Sequence, residues 1–156
     1  MKKIRKKTKL DEEAAVRTAL NLIKYRLRSE EELKKRLIEK GYGIDIVNKV
    51  IEKAKKSGLV DDKLFAYLYA YDKLTLDKKG PMFIQHKLRE LDVDDYLISD
   101  ALERVKSEVD LIEIATELAK FYYEKKRDIL KTKDYLYRRG FEPDIINCVI
   151  ENLRGD

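Results

Sequence analysis

The chain of 156 residues contains one cysteine, Cys148, together with two prolines, one histidine and no tryptophan. A single cysteine excludes an intrachain disulfide framework. One histidine and one cysteine leave a zinc site to be completed by carboxylates, and no spacing in the chain supports such a site. No apolar run is long enough for a membrane-spanning helix or a signal peptide, so we expect a cytoplasmic protein with no membrane partner and no bound metal.

Motifs of catalysis and of phosphate binding are also missing, since the chain has no GxxxxGK[ST], GxGxxG, GxSxG or HExxH sequence. His86 stands between Gln85 and Lys87, which offer no proton relay. Adjacent acids at Asp61–Asp62 and Asp94–Asp95 fall at predicted helix starts, where a carboxylate caps free amides and complements the helix dipole. The sequence therefore predicts a protein that is not an enzyme and needs no cofactor.

What the chain does have is a threefold internal repeat of about fifty residues. One repeated pattern is a leucine, three further residues, a glycine and an aromatic residue. It occurs over Leu37–Tyr42 and again over Leu136–Phe141, and Leu88–Val93 is the corresponding stretch of the middle copy. Small residues one helical turn apart let a neighbouring helix approach closely, so a recurring pair predicts a recurring helix packing. Such alanine pairs, four residues apart, are Ala15 and Ala19, Ala66 and Ala70, and Ala115 and Ala119.

Each copy is typical of one long and two shorter helices, with capping residues between them. A unit of this size buries too little surface alone, so the units should stack on their neighbours. The predicted fold class is all-α, an elongated, curved array of three tandem three-helix repeats. The predicted divisions are a basic disordered tail over residues 1–9 and repeats over 10–58, 59–107 and 108–156. The predicted helices are Leu10–Leu27, Glu30–Lys40, Ile44–Lys56, Asp61–Leu76, Pro81–Leu91, Asp94–Lys106, Asp110–Arg127, Lys131–Arg139 and Pro143–Leu153.

The net charge of +5 is concentrated at the start of the chain. Residues 1–9 carry six basic side chains and no acid, whereas the remaining residues carry 29 basic and 30 acidic side chains. A short basic tail attracts any polyanion without selecting a site, and it equally suits a disordered solubilising end. The folded body is nearly neutral, so net charge alone does not mark it as a nucleic-acid-binding protein.

Two local concentrations of positive charge remain within the body. They lie between Lys24 and Lys40 and between Lys125 and Arg139, and both end in a last helical turn where the helix dipole also favours cations. They are either solvated structural charges or a surface for phosphates or an acidic protein. The candidate binding residues are, first, Lys125, Lys126, Arg127, Lys131, Lys133, Arg138 and Arg139 and, second, Arg26, Arg28, Lys34, Lys35 and Arg36. Tyr135 and Tyr137 interleave with the first set as a stacking platform requires, although on a short helix one of them must point inward.

Four stretches of the sequence together resemble a known family. They are ALNLIKYRLRSEEELKKRL from Ala19 followed by KGY from Lys40, SGLVDDKLFA from Ser57 and DKKGPMFIQHKLRE from Asp77. In this order they resemble the bacterial RecX regulators of the RecA recombinase, and the likeness is strongest over residues 14 to 105. The middle unit departs from the family pattern, because Leu91 and Asp92 stand where a glycine is usual.

The resemblance implies three three-helix units and a non-enzymatic regulator. It implies a protein that binds the groove of the RecA filament on single-stranded DNA, inhibits ATP hydrolysis and strand exchange, and limits filament extension. The expected partners are a RecA-type recombinase filament and single- or double-stranded DNA, and we expect a monomer. Two alternatives stay open at this point. One is a free-standing DNA-binding helical protein, and the other is a scaffold for a different protein. The acids at the predicted helix starts weigh against the first, because they would repel the phosphates that a recognition helix approaches. They are Asp45, Asp94, Asp95 and Asp144.

Overall fold

The structure, a computed structural model, describes the backbone of residues 2–155 and the side chains of residues 11–155. In that part of the chain every regular element is a helix and there is no strand, and this confirms the all-α prediction. It contains nine helices: α1 Lys2–Tyr25, α2 Glu30–Glu39, α3 Ile44–Lys56, α4 Asp62–Thr75, α5 Pro81–Glu90, α6 Asp95–Glu108, α7 Leu111–Lys126, α8 Ile129–Arg138 and α9 Pro143–Gly155.

The start of α1 differs from the prediction. The sequence predicted a helix from Leu10 after a disordered tail over residues 1–9, whereas the backbone is helical from Lys2. Lysine and arginine are good helix formers, so the basic segment extends the helix instead of ending it. The side chains of residues 1–10 lie outside the described part of the chain. The predicted binding of polyanions by this segment depends on those side chains and therefore stays a prediction.

The chain divides into two compact units. Unit 1 comprises residues 1–65 and 91–93, and unit 2 comprises residues 66–90 and 94–156. The first predicted repeat therefore lies in unit 1, the third lies in unit 2, and the second contributes residues to both.

In unit 1, helices α1, α2 and α3 pack against one another around a shared apolar core. Ala15 and Ala19 are buried, and Leu33, Leu37 and Val47 are fully enclosed beside them. The small alanine side chains on α1 allow the other two helices to approach it closely, as the repeat pattern predicted.

In unit 2, α7, α8 and α9 form a second three-helix arrangement, and α5 packs against α6. Ala66, Ala70, Ala115 and Ala119 are all fully buried. The alanine pairs of all three copies thus occupy core positions, as their spacing predicted.

The repeated turn between the second and third helix of each copy has a left-handed residue. Gly41 and Gly140 adopt φ values of 97° and 98°, and Asp92 takes the equivalent position with φ 58°. Aspartate tolerates this region better than most residues because its short polar side chain can bond locally. The missing glycine of the middle copy therefore leaves the turn intact.

The helix starts follow the predicted capping chemistry with one exception. Ser29 Oγ accepts the N–H of Glu32 at 3.2 Å, and Asp61 Oδ1 accepts the N–H of Leu64 at 3.1 Å. Asp94 occupies the N-cap position of α6 but makes no side-chain capping bond, so the prediction of a cap there is wrong. Its neighbour Asp95 pairs instead with Arg89 at 2.9 Å, because both side chains lie exposed beside the preceding turn.

Candidate partner-binding surface

The second candidate set, which lies in unit 1 on α2 and on the segment between α1 and α2, is largely neutralised by carboxylates. Glu32 pairs with the guanidinium of Arg26 and lies 3.5 Å from that of Arg28. The side chain of Arg28 is only 7% exposed, and its Nε donates to the carbonyl oxygen of Leu22 at 3.2 Å. Burial lowers the pKa of Arg28, which nevertheless stays charged and serves to join α1 to α2.

Two further members of that set, Lys35 and Arg36, also lie beside carboxylates. Lys35 pairs with Asp92, whose hydrogen bond raises the pKa of the lysine, and Arg36 lies 3.4 Å from Glu39. Lys34 is half-buried. The α2 set therefore presents little free positive charge to a partner, although its count of basic residues is high.

Two members of the first set, which lies in unit 2, also have partners within the protein. Arg138 pairs with Asp134 at 2.9 Å one helical turn away. Arg139 donates from Nε to the carbonyl oxygen of Lys78 at 3.1 Å and from Nη2 to that of Asp77. Arg139 is therefore an anchor for the segment between α4 and α5.

The other five cations of the set lie together where α7 ends and α8 begins. Arg127 ends α7 in the left-handed conformation with φ 52°, which brings both helix ends to one corner. In residues 11–155, none of these five side chains lies within ion-pair distance of a carboxylate. They are Lys125, Lys126, Arg127, Lys131 and Lys133, and we call them the corner cations.

Exposed apolar side chains accompany the corner cations. Phe121 is 59% exposed, Leu130 is 75% exposed and Tyr137 is 53% exposed. The ammonium of Lys125 lies 4.2 Å from the centre of the Phe121 ring, and a cation over a ring face is attracted by its quadrupole. We call the five cations and these three residues the α7–α8 corner.

The two tyrosines of α8 have different environments, as the helix geometry predicted. Tyr135 stacks on Tyr122 with ring centres 4.4 Å apart and planes 8° from parallel, and the guanidinium of Arg139 lies 5.6 Å from its ring. Tyr137 is the exposed one. A nucleobase or a partner side chain could therefore stack on Tyr137 but not on Tyr135 without breaking the existing stack.

Phe121 and Leu130 were not among the sequence-predicted candidates. A signal existed for Phe121, because it occupies the repeat position of Asn21 and Asp72. An apolar residue where the other copies have a polar one marks surface that the shared helix packing does not cover. Leu130 gives no such signal, because its repeat positions hold Glu31 in the first copy but the apolar Met82 in the middle copy.

Two absences hold for the described residues. No three His, Cys, Asp or Glu side chains of residues 11–155 gather closely enough to hold a metal ion. None of the helices in the described part of the chain combines the length and the apolar character that crossing a bilayer requires.

The tandem three-helix units of the described residues define a helical-repeat protein. Two protein-family models match the chain. The model described as "RecX, first three-helix domain" matches residues 15–53, and the model described as "RecX, second three-helix domain" matches residues 61–102. The chain belongs to the RecX family.

Individual relatives support the same membership. The chain is 36% identical to the regulatory protein RecX of Thermotoga petrophila over 97% of this chain and 91% of that protein. It is 30% identical to the regulatory protein RecX of Oceanobacillus iheyensis over 86% of this chain but only 51% of that longer protein. The crystal structure of RecX from Lactobacillus salivarius matches with a TM-score of 0.84 at 27% identity, over 94% of this chain and 98% of that one.

Proposed function

We propose that this protein is a non-enzymatic regulator of a RecA-type recombinase in the cytoplasm. In this proposal it binds as a monomer in the groove of the recombinase filament on single-stranded DNA. Binding there inhibits ATP hydrolysis, strand exchange and filament extension. Membership of the RecX family supports the regulatory part of the proposal.

The observation that carries the binding part is the α7–α8 corner. Its five cations have no carboxylate partner in residues 11–155, so a phosphate or an acidic protein surface can neutralise them without displacing an internal ion pair. Bound phosphates release counterions from DNA, and exposed Phe121 and Tyr137 can contribute stacking or apolar contact. A filament presents both a protein surface and a DNA backbone, and the corner suits contact with both.

The helix starts weigh against a free-standing helix-turn-helix protein. Asp45, Asp94, Asp95 and Asp144 are all exposed, so a recognition helix entering a groove by its N-terminus would bring a carboxylate toward the phosphates. The two acids between Lys125 and Arg138 are both engaged within the protein: Asp128 caps the N–H of Lys131 at 3.1 Å, and Asp134 pairs with Arg138 at 2.9 Å.

The test is DNA-dependent ATP hydrolysis by the cognate recombinase, titrated with the full-length protein below stoichiometry. A triple variant, Lys126→Gln, Lys131→Gln and Lys133→Gln, removes three corner cations. We expect about tenfold weaker inhibition and a salt dependence reduced by roughly one unit of slope per lost phosphate contact.

The matched control removes the same charge from paired lysines. This control carries three substitutions of paired lysines and leaves the corner unchanged, so inhibition should persist. The substitutions are Lys35→Gln, Lys73→Gln and Lys106→Gln, whose partners are Asp92, Asp77 and Glu142 respectively. Equal inhibition by both triple variants would remove the corner from the mechanism. Tight binding to bare DNA without inhibition would favour a free-standing DNA-binding protein, and no effect in either assay would favour a scaffold for another partner.

A further inference from the structure

An apolar trough runs between α1 and α3 in unit 1. Its central cavity of about 260 Å³ is lined by residues that include Val16, Ala19, Ile23, Val50 and Ala54. Leu20 and Leu59 border the cavity and are 44% and 40% exposed. The trough continues past Leu20 toward Arg17 and Lys24.

The second repeat has the same surface, but there it is filled. Tyr67 takes the repeat position of Val16, and Arg104 and Glu108 take the positions of Lys53 and Ser57. The Arg104 guanidinium lies 3.8 Å from the centre of the Tyr67 ring, and the Tyr67 hydroxyl donates to Glu108 at 2.5 Å. The α4–α6 helix pair therefore holds an aromatic ring beside a cation. The corresponding α1–α3 pair of the first repeat has the cation, Lys53, but no ring.

The charges at the rim of the trough distinguish between occupants. Arg17 and Lys24 border one end, and neither lies within ion-pair distance of a carboxylate in residues 11–155. Lys53 is paired with Glu12 at 2.8 Å. Glu12 and Glu13 border the other end of the trough beside Val16, where Lys53 already holds Glu12. Arg17 and Lys24, beside Leu20, therefore favour an acidic partner at their end of the trough.

We propose that this trough docks a protein segment that presents an aromatic side chain flanked by carboxylates. The ring enters the cavity between Val16 and Ala54, where Lys53 borders it as Arg104 borders Tyr67. The flanking carboxylates pair with Arg17 and Lys24. An engineered cavity of about 150 Å³ holds benzene, so the volume suffices for a ring.

The probes are two acetylated helical peptides that carry one phenylalanine and one leucine four residues later. All other positions alternate alanine with glutamate in one peptide and alanine with lysine in the other. Labelled peptide is titrated with full-length protein and followed by fluorescence anisotropy. We expect saturable binding of the glutamate peptide about tenfold tighter than that of the lysine peptide, because only the glutamate peptide can form ion pairs with Arg17 and Lys24.

Two variants locate the binding. The triple change Val16→Tyr, Lys53→Arg and Ser57→Glu recreates the filled surface of the second repeat, and it should abolish glutamate-peptide binding while the helical circular-dichroism signal persists. The double change Arg17→Glu and Lys24→Glu leaves the cavity open and should reverse the preference toward the lysine peptide. Lys49→Glu with Lys56→Glu is the charge-matched control, on exposed residues outside the lining, and should leave the preference unchanged.

Three results would overturn the proposal. They are absence of saturation with the glutamate peptide, equal affinity for the two peptides, and undiminished binding by the filled variant. Sedimentation of the wild-type and filled proteins tests the other occupant: self-association that the filled variant abolishes would assign the trough to a second copy. None of these measurements includes recombinase or DNA, so their outcome is independent of the proposed function.

Discussion

Gly80 donates its backbone N–H to the carbonyl oxygen of Arg139 at 2.7 Å, within unit 2. Met82 donates in the same way to Gly140 at 2.9 Å. The turn after α8 thus supplies acceptors for amides at the start of α5, which have no partner within their own helix. The contact needs close backbone approach, because a Cβ at Gly80 would lie 2.3 Å from the carbonyl carbon of Gly140.

Gly80→Ala should therefore destabilise the protein strongly. Backbone atoms cannot yield as a flexible side chain does, so we expect a loss of about 3 kcal/mol in the free energy of unfolding by urea denaturation. Gly43→Ala is the matched control, because a Cβ there meets nothing within 4 Å and φ is −67°. It should cost less than about 1 kcal/mol. Equal costs would show that the Gly80 contact is not close in solution.

Arg139→Lys should also cost stability although it keeps the charge. Lysine lacks the planar fork that reaches the carbonyl oxygens of Asp77 and Lys78 together, and hydrogen bonds from a charged donor are worth about 2 kcal/mol. The adjacent Arg138→Lys alters a surface ion pair and should change the free energy of unfolding by less than about 0.5 kcal/mol. Thermal unfolding of both variants compares them directly. An unchanged melting temperature for Arg139→Lys would mean that the fork is not required.

Asp92 provides a test of the left-handed turn. Asp92→Asn should stay within about 1 kcal/mol of wild type, since asparagine tolerates positive φ and the lost pair with Lys35 is exposed. Asp92→Val should cost about 2 kcal/mol more, because a β-branched residue is strained there. The measurement is urea denaturation of both variants. Equal stabilities would indicate that the turn abandons this conformation.

Asp77 should titrate at unusually low pH. The Lys73 ammonium, 2.9 Å from its carboxylate, holds the pKa of Asp77 below its ordinary value. Because the folded-state pKa is lowered, the stabilisation is present above the unfolded pKa and is lost as pH falls through the folded one. Carboxyl carbon NMR titration measures this pKa. Lys73→Gln should raise it, whereas the pKa of Glu90, lowered chiefly by Lys87, should not move.

The helices and their packing could be predicted because they depend on local spacing. The buried alanine pairs and the apolar positions at Leu37, Leu88 and Leu136 follow from periodicity and recurrence alone. The boundaries mostly agree within two residues, and the large exception is the start of α1, which lies at Lys2 instead of Leu10.

The candidate surface was harder to predict because charge counts do not show which charges are paired. Lys35 meets Asp92, which is 57 residues away in the sequence, and Arg139 meets backbone carbonyls 61 and 62 residues away. Those distances depend on the fold. Only after such contacts are assigned can the corner cations be separated from the paired members of the two candidate sets.

The stack of Tyr122 on Tyr135 gives the protein an internal optical reporter. With no tryptophan in the chain, its near-ultraviolet circular dichroism comes chiefly from tyrosine and phenylalanine in fixed surroundings. Two parallel rings 4.4 Å apart, one of them beneath Arg139, lie on the helices that form the α7–α8 corner. Binding or unfolding at that corner can therefore be followed spectroscopically on the unlabelled wild-type protein.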